Sequence, residues 1–175
     1  MKPILFNLAE ARLDLYPLLA GSVSRTRPFG MMDDENPIIL GACAEGLSIG
    51  QEFSEYNYTP TGQQHSRTRH IGEQHVITMR RLWLADGTED EAEVFTINKN
   101  QLLFLQITWI EDAPAEKVAD AELHWLRRVY HGATTPGLKL SDRDIFEFES
   151  NQEFRAPFYI QTAGKGAPPA AGGGS

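Results

Sequence analysis

A chain of 175 residues is long enough to form one domain with a substantial hydrophobic core. Its 41% hydrophobic and 23% charged content is that of an ordinary soluble globular protein. A net charge of -8 excludes a general nucleic-acid binder, which needs a basic face to displace counterions, but not a protein that DNA passes without sticking.

At the N-terminus, Asn7, Glu10, Arg12 and Asp14 interrupt the apolar residues, so no signal peptide is read there. No apolar run approaches the ~20 residues of a membrane-spanning helix. Residues 11–16 fit a strand better than a helix, because Pro17 stops helical continuation. Residues 21–36 are loop by their Gly, Ser, Pro and Asp content. Residues 37–44 and 47–56 read as strands; in the second, Leu47, Ile49 and Phe53 alternate with polar residues. The polar stretch 57–70, with Pro60 and Gly62, reads as a loop longer than an ordinary hairpin turn.

The stretch around which the rest is arranged is 71–84, IGEQHVITMRRLWL, read as the central strand. Both of its faces carry apolar residues, where a strand on a monomer's surface shows one polar face. Its second face is therefore expected to meet another sheet or another subunit. An acidic turn at 85–92 with an Asp-Gly signal precedes strands at 94–97 and 102–110. Residues 114–130 read as a helix: Asp112 as cap, Pro114 in the first turn, Gly132 as stop, and Val118, Ala121, Trp125, Leu126 and Val129 as its buried stripe. Residues 133–143 read as loop, 144–149 as strand, 151–152 as turn and 154–161 as a last strand. The composition from 163 to 175 cannot support ordering and predicts a disordered tail after a single domain, 1–162. The expected fold is mainly β, an antiparallel β-sandwich or barrel with one flanking α-helix near residues 114–130.

Chemistry-bearing patterns are sparse. His65, His70, Glu73 and His75 cluster in sequence, but their spacing matches no metal-ligand pattern, and on a regular strand His70 points away from Glu73 and His75. Cys43 is the single cysteine; it allows no intrachain disulfide and, in an apolar strand, reads as a small buried hydrophobe. There is no nucleophile elbow, phosphate loop or dinucleotide fingerprint. No catalytic residue and no cofactor is expected. Paired arginines beside aromatics fit a protein interface, and the subunit-contact candidates are Tyr56, Tyr58, Arg67, Arg69, Arg80 and Arg81.

Ile39-Leu40-Gly41 leading into an alternating strand, a long polar loop and a strong strand at 75–84 resembles the major tail tube proteins of long-tailed bacteriophages and related secretion-tube rings. Trp125-Leu-Arg-Arg-Val-Tyr-His-Gly and Asn151-Gln-Glu-Phe-Arg-Ala-Pro-Phe-Tyr also look like phage-encoded structural proteins. The likeness is one of pattern and covers roughly residues 37–159.

It implies a non-enzymatic structural subunit whose partner is itself. Six copies would join edge to edge into a ring, and rings would stack into a conduit for DNA or an effector, with loop 57–70 reaching a neighbouring ring. Other tail proteins would be partners, without tight nucleic-acid or membrane binding. The subunit would reside in a bacterial cytoplasm before assembly and in the virion tail after it. The competing expectation is a small-molecule- or metal-binding β-barrel module using His70, Glu73 and His75; a metal-dependent enzyme on the same cluster lacks a fourth ligand and a general base.

Overall fold

A computed structural model describes residues 4–6, 11–83, 95–113, 122–135, 138–140 and 145–168. Among them the regular structure is all strand: β1 (Arg12–Pro17), β2 (Ile39–Glu45), β3 (Ser48–Tyr58), β4 (Arg67–Trp83), β5 (Phe95–Ile97), β6 (Leu102–Ile110), β7 (His124–Thr134), β8 (Leu138–Leu140) and β9 (Ile145–Lys165). Seven form one antiparallel sheet in the order β2-β1-β6-β7-β9-β4-β3, and β5 pairs with β8 separately. Because β2 also pairs with β4, through Cys43↔Trp83 to Glu45↔Arg81, the sheet closes on itself. Six strands thus ring the core, and β3 stands outside the ring on β4.

The alternation read in the sequence is what fills this ring. Leu13 and Leu15 of β1, Leu103, Leu105, Ile107 and Trp109 of β6, Ile77 and Met79 of β4, Tyr130 of β7 and Phe154 of β9 are all buried. Register pairs such as Leu13↔Ile107 and Leu105↔Tyr130 place them on one face, as the period of two requires. Among the described residues, register shifts at Leu13/Leu15, Met79/Arg81 and His131/Ala133 bend the strands around the core, and a further one at Ser54/Glu55 lies in the β3–β4 pairing outside the ring. The shift at His131/Ala133 surrounds Gly132, whose position admits no side chain. A Cβ there would lie 2.0 Å from the Arg155 carbonyl oxygen.

The outer face of β1 and β6 is buried as well. Asp14 is fully buried; it accepts the Gly41 N–H at 2.7 Å and the Gln106 amide at 3.4 Å, and pairs with Arg12 Nε at 3.1 Å. Gly41 has φ +67°, a backbone shape suited to glycine, so the β1–β2 irregularity is held by a buried carboxylate on one side and a glycine on the other. Burial, and then the nearby Asp14 carboxylate, pushes the Tyr16 phenol up to about 12. The connection between β1 and β2 folds back over this face. Its Phe29 stacks on Phe158 at 4.6 Å and meets His131 edge-on at 5.5 Å, while Phe104 lies 4.8 Å from His131 on the other side.

His131 is therefore caged among rings, and both its nitrogens lack a hydrogen-bond partner among the described residues. Burial lowers its pKa, so the native state keeps it neutral where the unfolded chain protonates. The sign follows: its contribution to stability is complete above the unfolded value of about 6.5 and is lost as pH falls through that value towards the lower native one. Denaturant midpoints at pH 5 and pH 7.5 are expected to differ less in His131→Phe than in the parent. An unchanged difference would remove His131 as a source of acid sensitivity.

Several expectations need correction. The helix at 114–130 is not seen: residues 124–130 belong to β7, and 114–121 lie outside the described residues. The helical stripe ending in Trp125, Leu126 and Val129 loses to strand pairing on both sides, from Leu102↔Ala133 to Ile110↔Trp125 with β6 and from His124↔Lys165 to Thr134↔Phe154 with β9. Aromatic and β-branched residues suit that half-buried pleated surface, and Gly132 is a bulge residue rather than a helix stop. Residues 151–152 do not turn: they lie within β9, next to the register shift against β4 in which Met79 faces Gln152 and Arg81 faces Glu147. Its last residues, Ala163 to Lys165, pair with Leu126, Trp125 and His124. Residues 138–140, read as loop, form β8. Cys43 is exposed on the outer face of β2 rather than buried. Among the described residues no helix is long and apolar enough to cross a membrane.

Candidate functional site

The part of the molecule that the barrel does not need is the β3–β4 hairpin. β4 shares a ladder with β9 from Trp83 to His75, where the pairing ends at His75↔Ala156. From Gln74 to Arg67 it is bonded to β3 alone. These eight residues project by roughly 25 Å at the usual rise of a strand. The turn at the tip, 59–66, is closed by Gln63 N–H to the Pro60 carbonyl at 3.0 Å, with Gly62 at φ +83°. What reads in sequence as a long loop is thus mostly ladder: Arg67 to His70 are strand residues opposite Tyr58 to Glu55.

Register decides which candidates meet. Tyr56 faces Arg69 and Tyr58 faces Arg67, so all four share one face at the tip, and the two tyrosine rings stack at 5.9 Å. All four are exposed. Arg80 and Arg81 are elsewhere: Arg80 lies eleven residue steps along the extended strand from Arg69, roughly 36 Å. Arg81 pairs with Glu45 at 3.3 Å across the β2–β4 ladder.

The opposite face of the arm carries the histidine cluster. The register shift at Ser54/Glu55 leaves Ile71 as the extra residue, which turns His70 to the same side as Glu73 and His75, against the regular-strand expectation. There His70 lies 3.4 Å from Glu55 and meets the Phe53 ring edge-on, while Glu73 bonds Gln51 and lies 3.4 Å from His75 Nε2. Each histidine has its own carboxylate, and no group of three His, Cys, Asp or Glu among the described residues is arranged to hold a metal. His75 is buried at the arm's root, where its ring packs on Tyr159 at 4.2 Å and Tyr130 at 5.8 Å. Arg155 of β9 ties this root down, bonding Glu52 at 2.8 Å and Glu153 at 3.1 Å; those hydrogen bonds raise its pKa further.

Besides the inner edge of β4 from Gln74 to Arg67, two further edges of the large sheet lack a partner among the described residues. One is the outer edge of β3, bonded only to β4. The other is β9 beyond Ala156, bonded only to β7 after β4 departs. Such edges present rows of unpaired N–H and C=O groups. They are flanked by apolar side chains open to solvent: Phe53, Ile71 and Tyr56 on the arm, Tyr159 and Ile160 on β9. Sequence reasoning noted Phe53 only as part of an alternating strand and did not single it out as an exposed contact residue. It also missed Tyr159 and Ile160, where nothing in the sequence shows that β4 leaves.

The fold and site thus define a closed antiparallel β barrel with a projecting hairpin arm and open strand edges on the arm and on β9. Comparisons with protein-family models, with curated proteins and with solved structures give no match.

Proposed function

We propose that the chain is a non-enzymatic structural subunit that self-associates through its open strand edges and hairpin arm into rings or a tube, in the manner of a phage tail tube. The observation that carries this reading is the eleven-residue edge strand β3, exposed or half-exposed throughout, on an arm that adds little to the barrel's own core. The edge of β3 and the edge of β9 are different surfaces. Pairing one with the other on a second copy is a head-to-tail contact, which closes into a ring or continues as a helix. The stacked tyrosines and paired arginines at the tip are residue types suited to the buried centre of an interface. The charge of -8 suits a conduit that DNA traverses without adhering.

Light scattering after size exclusion, with negative-stain images of the same sample, is expected to show concentration-dependent oligomers, rings or short tubes. Replacing Tyr56 and Tyr58 together by aspartate is expected to shift the mass towards monomer with the melting temperature unchanged, since neither ring touches the barrel core. A parent that stays monomeric at the highest attainable concentration, or a variant that assembles like the parent, would sink the proposal.

A small-molecule-binding barrel is the second reading, favoured by the recess at the barrel mouth described next. The metal version finds no support in the separate carboxylate pairing of His70 and His75.

A further inference from the structure

The interior void among Leu13, Met79, Leu105 and Phe154 is about 30 Å³, too small for a ligand. A second recess is different. It opens at the end of the barrel between the start of β3 and the β6–β7 wall, has a volume of about 370 Å³, and is lined by Leu47, Ser48, Ile49, Trp109, Leu126 and Arg128. That lies within the usual small-molecule range of ~300–1,000 Å³. Four of the six lining residues are apolar; Ser48 turns its hydroxyl to Thr78, which leaves the Arg128 guanidinium as the polar group of the recess.

Arg128 is the informative residue. It sits on the inward face of β7, opposite Ile107 and Gln161 in its two ladders. It is half-buried, with its guanidinium 5.5 Å from the centre of the Trp109 ring. No carboxylate pairs with it among the described residues, although the chain carries 24 acidic side chains against 16 basic ones. Of the other barrel arginines, Arg12, Arg81 and Arg155 bond carboxylates, and Arg127 bonds the Gln106 side-chain oxygen at 3.5 Å. A half-buried arginine in a largely apolar recess with no carboxylate beside it is an incomplete arrangement, because a planar guanidinium presents forked donors that match a carboxylate.

We propose that this recess binds an amphipathic small-molecule monocarboxylate, with the carboxylate on the Arg128 guanidinium and the aliphatic or aryl body against Leu47, Ile49, Trp109 and Leu126. The assignment rests on charge complementarity and volume and is independent of ring assembly. The cation–π contact with Trp109 holds the guanidinium in place before the ligand arrives, which limits the ordering cost of binding.

The test is a titration of the ¹⁵N-labelled full chain with octanoate and, separately, with 1-octanol, following the indole N–H signals. Octanoate is expected to move the Trp109 signal saturably, with octanol at least tenfold weaker. Arg128→Gln is expected to bring octanoate down to the octanol level, with the amide spectrum still that of a folded barrel. Arg128→Lys keeps the charge without the fork and is expected to retain a preference for octanoate. Absence of a saturable shift with octanoate, equal affinity for the two probes, or undiminished octanoate binding by Arg128→Gln would overturn the proposal. So would loss of self-association in Arg128→Gln together with failure of octanoate to bind, since the recess would then belong to a second copy.

Discussion

Gly132→Ala is expected to lower stability by about 3 kcal/mol or more, at or beyond the top of the usual range for forcing atoms into a packed site. The reason is geometric. The added methyl would sit 2.0 Å from the Arg155 carbonyl oxygen and 2.8 Å from the Ala156 Cα, which are backbone and cannot swing aside. The bulge at His131/Ala133 would have to open, and with it the β7–β9 ladder beside the point where β4 separates from β9. For a chain of this size the loss corresponds to a fall in melting temperature of roughly 6–12 °C, readable by calorimetry or circular dichroism. An alanine variant melting within a degree of the parent would show that the two strands are not in this register.

Asp14→Ala should produce the second large effect, a loss of about 2–4 kcal/mol in a urea titration, because it leaves buried donors without an acceptor. The Gly41 N–H and the Gln106 amide both point at this carboxylate. Arg12→Ala, which removes the partly exposed partner, should cost much less, about 1 kcal/mol at most. The contrast is the diagnostic part: if the two variants lose equal stability, the ion pair rather than the buried acceptor carries the effect. Asp14→Asn keeps one oxygen for Gly41 but aims an amide nitrogen at other donors, so it should fall between them.

Much of the barrel was legible because its strands obey a period of two over long runs. Residues 102–110 and 71–84 announced themselves in this way, and the double-apolar character of both has a clear origin. One face fills the barrel, and in β6 Phe104, Gln106 and Thr108 on the other face are buried as well. The 124–134 strand was not legible, since Trp125, Leu126 and Val129 satisfy a helical stripe and a strand ladder alike. Only the partners across β6 and β9 decide between them, and those partners are not local in sequence. The same non-locality hid the arm: Tyr56, Tyr58, Arg67 and Arg69 could be named as contact candidates, but only register brings the four onto one face, and only the departure of β9 at His75 makes them project. His70 was assigned to the wrong side because a one-residue bulge reverses alternation, and no residue type in 70–72 announces that bulge beyond a glycine with other uses.

β9 has a consequence for the order in which this chain acquires its shape. It is one strand of 21 residues, bonded to β4 along its first half and to β7 along its second. The partners of its early residues lie in β4, far upstream: Trp83 pairs with Ile145. Without β9, the pairings that remain form an open, curved sheet running from β7 through β6, β1 and β2 to β4 and β3. Closure is therefore an insertion in which a late segment must meet two waiting edges together, and the entropy of bringing distant segments together is spent before either ladder returns it. During synthesis the earlier strands emerge first and wait as an unclosed sheet, so the half-made molecule exposes more ladder than the finished one. The β9 edge left over after closure is the remainder of that insertion: the segment outruns the strand it was threaded beside.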